Sequence, residues 1–314
     1  MQWRGRRQST NVEDRRGQSG GSGLGGGLLG GILGGLSGGS GGGNKAGCGT
    51  GGIIGLIIMG LIAWKLGIDP AQFIGMVGGS GDLTSVITSG SDESGGTYTA
   101  SAKEQEMYEF MTTVLAETED VWSEVFRGIG KTYRNPKLVI YNGYTTSSCG
   151  AAQSSTGPFY CPEDEKIYLD LSFFDEMETQ FKAGGDFAYA YVLAHEVGHH
   201  VQKLLGTLET VNKVRAQSSE KKSNELSVRI ELQADFYAGI WAYHTKQILD
   251  AGDIDEALNA AEAVGDDRLQ KQAQGYVVPD SFTHGTSAQR HEWFYKGYNT
   301  GDMTQGNTFQ AKIE

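Results

Sequence analysis

His195, Glu196 and His199 stand in the spacing H-E-x-x-H. On a helix, residues four apart lie on one face, so both imidazoles can bind one metal ion while Glu196 lies beside them. Zn²⁺ lowers the pKa of bound water from about 16 to about 7, and a neighbouring carboxylate can take the released proton. The spacing predicts a zinc site with Glu196 as general base.

The residues around this motif are apolar, and a helix is predicted from Asp186, as its cap, to about Leu205, before Gly206. The flanking apolar residues are Tyr191, Val192, Leu193, Ala194, Val201, Leu204 and Leu205. Five positions with two wildcards also occur by chance, as a solvated helix face. Unpaired polar groups inside an apolar helix cost several kcal/mol, however, and a metal ion would supply the partners.

A catalytic zinc ion needs three protein ligands and one open position. The metzincin extension, which would supply a third histidine, requires glycine and then histidine further along the same helix. Gln202 and Leu205 occupy those positions, so the extension does not fit. The third ligand must come from a later element.

A later predicted helix, Asn224–Tyr243, carries Glu231 and Asp235 four residues apart. Glu231 is the candidate third ligand. Asp235, one turn away, could accept the free N–H of a ligating histidine and fix its tautomer. From the spacing alone, a solvated pair of carboxylates explains the two residues equally well.

The other elements predict an α+β domain, mostly helical with a small β-sheet. Apolar spacing predicts a helix over Lys103–Phe126, a strand at Lys137–Tyr141 and a short helix over Phe173–Phe181. Between them, Lys166–Leu171 alternates like a half-buried strand. It is interpreted either as an exposed edge strand that receives the substrate backbone or as an ordinary strand of the sheet.

Composition differs strongly along the chain. Residues 1–45 carry a net charge of +4 and the remainder −16, which argues against nucleic acid as the main partner. Gly17–Asn44 is mostly Gly and Ser, so it is expected to be disordered. Residues 46–64 are uncharged, and about 20 apolar residues span a bilayer core of about 30 Å.

We therefore expect a transmembrane helix over residues 46–66 rather than a signal peptide or a buried core helix. A signal peptide begins near the N-terminus and ends in small residues, whereas this segment begins after Lys45 and ends in Trp64-Lys65-Leu66. The Arg-rich arm then stays in the cytoplasm. This predicts a single-pass protein of the bacterial inner membrane with an extracytoplasmic catalytic domain.

Cys149 and Cys161 bracket a loop rich in Gly and Ser on the predicted outer side. A disulfide between them is expected in an oxidising compartment. Two buried thiols or a metal-binding pair are the alternatives. The predicted organisation of the whole chain is a basic, then Gly-rich disordered cytoplasmic arm (1–45), a transmembrane helix (46–66), a juxtamembrane linker (67–102), a peptidase domain (103–300) and a tail (301–314).

The chain resembles the glutamate-zincins and, more narrowly, the bacterial neutral zinc metallopeptidase family of membrane proteins. The segments that carry the resemblance are W-R-G-R-R-Q-S-T-N-V-E-D-R-R (3–16), G-P-F-Y-C-P (157–162), I-Y-L-D-L-S-F-F (167–174), A-H-E-V-G-H-H-V-Q (194–202), E-L-Q-A-D-F-Y-A-G (231–239) and T-H-G-T-S-A-Q-R (283–290). The resemblance implies a zincin-like fold with Zn²⁺ on His195, His199 and Glu231, and Glu196 as base. It implies no particular substrate.

His284 is a further candidate, either as a donor that stabilises the oxyanion or as a loop histidine that caps the last helix. Arg290 is expected to hold its segment to an acidic partner such as Asp235. His200, His244 and His291 are interpreted as structural.

The sequence thus predicts a membrane-anchored zinc metallopeptidase that acts on peptides or proteins, with Glu196 passing a proton to the leaving amine. The oligomeric state is not predicted. One rival is a membrane-tethered binding or assembly factor that keeps the zincin fold without catalysis. Another is zinc-dependent hydrolysis of a bond other than a peptide bond.

Overall fold

The computed structural model describes residues 1–18 and 98–313 of the chain. These residues form a mostly helical α+β fold with a small sheet, which confirms the expected class. The predicted transmembrane helix over residues 46–66 lies outside the described residues. Within them, no helix is long and apolar enough to cross a membrane.

The described strands all lie before residue 171, and the elements after it are helical. The helices are α1 (Ala102–Gly128), α2 (Ser172–Thr179), α3 (Asp186–Leu205), α4 (Thr207–Arg215), α5 (Glu220–His244), α6 (Asp253–Ala263), α7 (Asp266–Gln274) and α8 (Ser287–Thr300). The strands are β1 (Val12–Asp14), β2 (Lys137–Tyr141), β3 (Tyr144–Ser147), β4 (Gly150–Gln153), β5 (Phe159–Cys161) and β6 (Lys166–Asp170). Single 3-10 turns lie at Ser154–Thr156, Lys246–Ile248, Pro279–Ser281 and Met303–Gln305.

The main sheet has the strand order β1-β2-β6-β5, and a separate hairpin joins β3 to β4. The first three strands run parallel, and β5 is antiparallel to β6. The interpretation of Lys166–Leu171 as an exposed edge strand is therefore wrong, because β6 pairs on both sides and is largely buried. The outer strand next to α3 is β5.

The first eighteen residues are folded onto the domain rather than part of a disordered arm. Strand β1 extends the sheet in parallel register with β2, and Trp3 packs edge-on against Phe110 of α1 at 5.3 Å. Gly17 lies against the side chain of Tyr98, so the two described segments meet where each ends.

Acidic residues of α1 receive the basic residues of this segment. The Arg6 guanidinium bonds Glu117 at 2.7 Å, and Arg7 bonds Glu119 at 3.0 Å. The buried Ser9 hydroxyl donates to the other oxygen of Glu119 at 2.6 Å. Residues 1–18 are therefore part of the same folded unit as residues 98–313.

Helix α3 begins and ends close to the predicted residues. Gly206 ends it in a left-handed conformation, with φ of 79°, which glycine adopts without steric cost. At the other end Asp186 is the first helical residue and Gly185 holds the cap position. The Asp186 carboxylate accepts instead from the Met1 ammonium, at 2.9 and 3.0 Å.

The domain also continues past the expected boundary at residue 300. Gln233 of α5 donates to the carbonyl of Gly306 at 2.8 Å, and Thr308 donates to the carbonyl of Arg229 at 2.7 Å. Residues 301–313 therefore lie along α5, the helix that carries Glu231 and Asp235.

Candidate metal centre

Helix α3 carries both histidines and the glutamate of the H-E-x-x-H sequence at the interface with α5. His195 and Glu196 are buried, and the rings of His195 and His199 lie 4.8 Å apart. The two helices cross closely because residue 198 is glycine. A Cβ on Gly198 would lie 2.8 Å from the carbonyl oxygen of Ala234.

The crossing brings Glu231 of α5 to the histidine pair. Its Oε2 lies 3.1 Å from Nε2 of His195 and 3.6 Å from Nε2 of His199. One donor atom from each residue lies within 4.8 Å of the others, so the three form a group that could hold a metal ion. The structure thus brings together the three residues that were predicted from the sequence as metal ligands.

Hydrogen bonds at the far side of each imidazole set its tautomer. Nδ1 of His195 lies 2.8 Å from Oδ1 of Asp235, and Nδ1 of His199 lies 2.9 Å from Oε1 of Gln202. Both oxygens accept, so in the neutral rings the proton sits on Nδ1 and the Nε2 lone pairs face Glu231. Two such nitrogens, a carboxylate oxygen and an open position fit a catalytic zinc ion.

Gln202 can accept from His199 because its own amide group is fixed. The Gln202 Nε2 donates to the carbonyl of Ile230 at 2.7 Å and to the Gln233 side chain at 3.2 Å. The side chain is fully buried. Gln202 therefore does for His199 what Asp235 does for His195.

Arg290 of α8 balances the charge of Asp235, as the sequence predicted. Its Nε and Nη2 donate to the two carboxylate oxygens at 2.8 and 2.9 Å, and the Tyr191 hydroxyl donates to Oδ1 at 2.6 Å. Burial raises the pKa of Asp235, but Arg290 and His195 outweigh it and lower that pKa to about 2. Asp235 is thereby held in its ionised form, and both of its carboxylate oxygens accept hydrogen bonds.

The charges of the three metal-facing side chains depend on one another. Burial acts to lower the pKa of His195, but Asp235 and Glu231 outweigh it and raise that pKa to about 10. Burial likewise acts to raise the pKa of Glu231, yet His199 and His195 hold it well below its usual range. A metal ion that bound at these three side chains would have to displace protons from the histidines.

Glu196 has a different environment from Glu231. Burial raises the pKa of Glu196 above its usual value, although His199 and His195 act in the opposite direction. The backbone of Tyr160 in β5 also acts on this carboxylate as a hydrogen-bond partner. A carboxylate with a raised pKa is suited to accept a proton near neutral pH.

Strand β5 is held on its other side by a disulfide. Cys149, in the turn between β3 and β4, is joined to Cys161 of β5, with the two Cα atoms 5.8 Å apart. Cys161 is fully buried. The bridge thus ties the hairpin to the outer strand of the main sheet.

His284 faces the same site from the segment that leads into α8. Its Nδ1 lies 3.1 Å from Oδ1 of Asp266, whose Oδ2 accepts from the backbone N–H groups of residues 283–285 at 2.6 to 3.1 Å. Thr286 caps α8, and Gln289 completes the capping box. His284 is therefore not the helix cap, and Asp266 fixes its ring.

A cavity of about 150 Å³ joins these groups. The residues that line it are Gly157, Pro158, Phe159, Tyr160, Pro162, Phe173, Phe181, Tyr191, Val192, His195, Glu196, His199, Leu208, Asn212, Ile230, Glu231, Val264, Leu269, His284 and Arg290. Most of the wall is apolar, and the polar groups converge on the metal-facing side.

The remaining histidines lie outside the candidate ligand group. His291 pairs with Glu262 at 2.7 Å, and the ring of His244 packs against Tyr243 at 5.2 Å. His200 is buried and lies one helical turn beyond Glu196.

The sequence analysis did not identify Gln202 or Asp266 as parts of the site. Gln202 is three residues after His199 on the same helix, and that spacing could have suggested it. Asp266 is eighteen residues before His284 at the start of a different helix, and no local pattern connects the two.

Comparisons with known proteins identify relatives across the whole chain. The chain matches the family described as "Putative neutral zinc metallopeptidase" over residues 1–309. The "Uncharacterized protein YpfJ" of Escherichia coli (strain K12) is 48% identical over 316 residues, which covers 100% of both chains. The "Uncharacterized protein Rv2575" of Mycobacterium tuberculosis (strain ATCC 25618 / H37Rv) is 45% identical over 204 residues, 61% of this chain and 67% of the relative. No solved structure matches the chain.

Proposed function

The chain belongs to the neutral zinc metallopeptidase family, and from that premise we propose that it hydrolyses peptide bonds with zinc as its cofactor. One observation carries the proposal. His195, His199 and Glu231 turn their metal-binding atoms towards one point, and Glu196 lines the same cavity. That combination is the donor set and general base of a zinc hydrolase.

We assign His195, His199 and Glu231 as the zinc ligands and Glu196 as the general base. When bound there, zinc supplies a Lewis acid that acidifies water and polarises a carbonyl group. Glu196 takes a proton from the attacking water and passes it to the leaving amine. Asp235 and Gln202 hold the two imidazoles so that Nε2 of each remains free to bind the metal.

His284 is proposed as the donor to the oxyanion that develops on the substrate carbonyl. Asp266 accepts from Nδ1 and fixes the ring, which lines the cavity beside the candidate ligands. Donors of this kind are worth about 10²- to 10³-fold in kcat.

Strand β5 is the proposed site for the substrate backbone. It is the outer strand of the main sheet on the side of α3, and Phe159 and Tyr160 line the cavity beside Glu196. An extended peptide that adds to this edge would place a carbonyl group near the general base. The apolar wall of the cavity favours an apolar side chain next to the cleaved bond.

The proposal is tested in the native organism by replacing the chromosomal copy with Glu196→Gln. New protein N-termini in the envelope proteome should be present in the wild type and absent from the Glu196→Gln strain and from a deletion strain. Full complementation of the deletion phenotype by Glu196→Gln would favour the rival, a binding or assembly factor without catalysis. Zinc-dependent hydrolysis confined to non-peptide substrates would support the other alternative, a zinc hydrolase that cleaves a bond other than a peptide bond.

Localisation is a separate proposal. We propose that residues 1–18 and 98–313 lie together on the extracytoplasmic side of the bacterial inner membrane. The Cys149–Cys161 bridge supports an oxidising compartment. The pairing of β1 with β2 in one sheet argues against the single crossing between these two segments that is expected from the sequence.

Cysteines introduced at the exposed positions Arg4 and Tyr276 test this arrangement. In spheroplasts, a membrane-impermeant maleimide should label both Arg4→Cys and Tyr276→Cys above the parent protein. Labelling of Tyr276→Cys alone would support the single crossing expected from the sequence, with residues 1–18 in the cytoplasm.

A further inference from the structure

His200, the last histidine of H-E-V-G-H-H, lies outside the group of candidate ligands but is fully buried beside it. We propose that His200 is a positioning residue, which holds the side chain of Tyr160 and so sets the position of strand β5 relative to Glu196. Its catalytic consequence rests on the proposed peptidase function. The positioning itself does not.

Two hydrogen bonds fix the His200 ring. Nε2 lies 2.6 Å from the carbonyl oxygen of Arg134, and Nδ1 lies 2.9 Å from the hydroxyl of Tyr160. A carbonyl oxygen only accepts, so Nε2 carries the proton and Nδ1 accepts from the Tyr160 hydroxyl. The contact with Arg134 therefore selects the tautomer that can bind Tyr160.

Glu196 and His200 lie on one face of α3, close to the same residue of β5. They are four residues apart, and residues at that spacing lie one above the other on a helix. Glu196 and Tyr160 line the same cavity, and His200 binds the Tyr160 hydroxyl. The side chain of Tyr160 is thus attached to the helix that carries Glu196.

Strand β5 needs such an anchor because it is short and lies at the edge of the sheet. It has three residues and pairs with β6 alone among the described strands, with Tyr160 opposite Ile167. The disulfide at Cys161 joins β5 to the β3–β4 hairpin and does not join it to α3. The Tyr160–His200 bond is therefore the side-chain link between this strand and the helix of the general base.

The distance between β5 and α3 matters for a peptide bound along β5. A misplacement of about 1 Å between reacting groups can cost about 10²-fold in rate. Loss of one buried hydrogen bond corresponds to about tenfold in an equilibrium constant. We therefore expect loss of the Tyr160–His200 bond to lower kcat/KM about tenfold, mainly through kcat, with the zinc content unchanged.

Two tyrosine variants form a matched pair. Tyr160→Phe removes the hydroxyl that His200 binds. Tyr133→Phe removes a hydroxyl from a ring that also packs on His200, at 5.7 Å, but this buried hydroxyl has no hydrogen-bond partner among the described residues. Each variant loses one oxygen atom beside the same histidine, and only the first loses a bond.

Two histidine variants separate the two ring nitrogens. In His200→Asn the amide oxygen can take the place of Nδ1 and accept from Tyr160. In His200→Gln the amide nitrogen can take the place of Nε2 and donate to the carbonyl of Arg134, but the bond to Tyr160 is lost. The proposal ranks His200→Asn above His200→Gln.

The experiment measures amide hydrogen exchange of Phe159–Cys161 in the full chain, together with zinc content and steady-state peptide hydrolysis. Exchange at these amides should rise about tenfold in Tyr160→Phe and His200→Gln and stay near the wild-type rate in Tyr133→Phe and His200→Asn. Amides of β2, which does not pair with β5, should not change. If Tyr160→Phe and Tyr133→Phe give the same exchange and the same kcat/KM, the proposal is overturned.

Hydrogen exchange keeps this test independent of the proposed function. If the wild type bound zinc but cleaved no peptide, the peptidase proposal would fail, and the exchange ranking would still decide the role of His200. If the wild type cleaved peptides while all four variants matched it in exchange and rate, only the positioning role would fail.

Discussion

Gly198 is the position where α3 and α5 come closest, and Gly198→Ala tests whether that crossing holds the metal site together. A Cβ at residue 198 would lie 2.8 Å from the carbonyl oxygen and 3.0 Å from Cα of Ala234, whereas ordinary contacts begin at 3.4 Å. Both obstacles are backbone atoms, so a side-chain rotation cannot relieve the overlap. The helices must move apart by up to about 0.6 Å, the difference between 3.4 and 2.8 Å.

Two terms of opposite sign set the effect on stability. Overpacking costs about 1 to 3 kcal/mol, and the gain in helix propensity from Gly to Ala returns about 1 kcal/mol. We expect a net loss of up to about 2 kcal/mol in the free energy of unfolding. Since metal sites tolerate about 0.2 Å in donor distances, the same movement should weaken zinc binding by at least about tenfold.

Gly128→Ala is the control for Gly198→Ala. Gly128 ends α1, and a Cβ there would meet no atom within 4 Å. Urea denaturation and a competitive zinc titration measure both variants. Equal stability of the two variants, together with wild-type zinc affinity in Gly198→Ala, would refute the close crossing as the support of the site.

Three further predictions concern the surroundings of the metal. Asp235→Asn weakens the support of His195 and leaves Arg290 buried without a counter-charge. Zinc affinity should fall 10- to 100-fold in a zinc titration, and the free energy of unfolding should fall by about 3 to 5 kcal/mol in a urea titration. Unchanged zinc affinity would contradict the role of Asp235. The pKa of His195 is raised to about 10 in the metal-free protein, so zinc must displace a proton from this ring. Zinc affinity should therefore increase about tenfold per pH unit below that pKa, and calorimetry in buffers of different ionisation enthalpy should detect the released proton. A zinc affinity that does not depend on pH between 6 and 8 would contradict this linkage. Replacing both Cys149 and Cys161 by Ser opens the loop that the disulfide closes, whose ends are 12 residues apart in sequence. The free energy of unfolding should fall by about 3 kcal/mol. A reductant should lower the stability of the wild type by the same amount and leave the double variant unchanged.

The parts of the site that the sequence predicted are those encoded by local spacing. The boundaries of α3 follow from its apolar pattern and from Gly206, and the four-residue spacing places His195 and His199 on one face. The pairing of Asp235 with Arg290 and with one of the two candidate ligand histidines was also expected, and the structure shows that this histidine is His195.

Strand order could not be predicted in the same way. The alternation in Lys166–Leu171 identifies a strand, but whether that strand lies inside the sheet depends on its partners. One of them, β5, has only three residues and too short a pattern to be recognised. The sequence therefore left open whether Lys166–Leu171 lies at the edge, and the structure shows β5 there instead.

The N-terminal segment shows a different limit of the sequence. The expected disorder began at Gly17, and the sequence did not predict that the basic residues before it pack onto the domain. The partners that order the segment, such as Glu117 and Glu119, lie more than a hundred residues away on α1. Complementary charge at that separation leaves no local signal, and the same holds for the contact between Asp266 and His284.

The central claim is that this zinc site hydrolyses peptide bonds with Glu196 as its base. The most direct test is hydrolysis of an unstructured peptide library by purified wild type and by Glu196→Gln, each shown to hold one zinc ion per chain. We predict cleavage by the wild type and a loss of at least about 100-fold in Glu196→Gln, within the range for general-base catalysis. Equal cleavage by the two proteins at equal zinc content would contradict the mechanism.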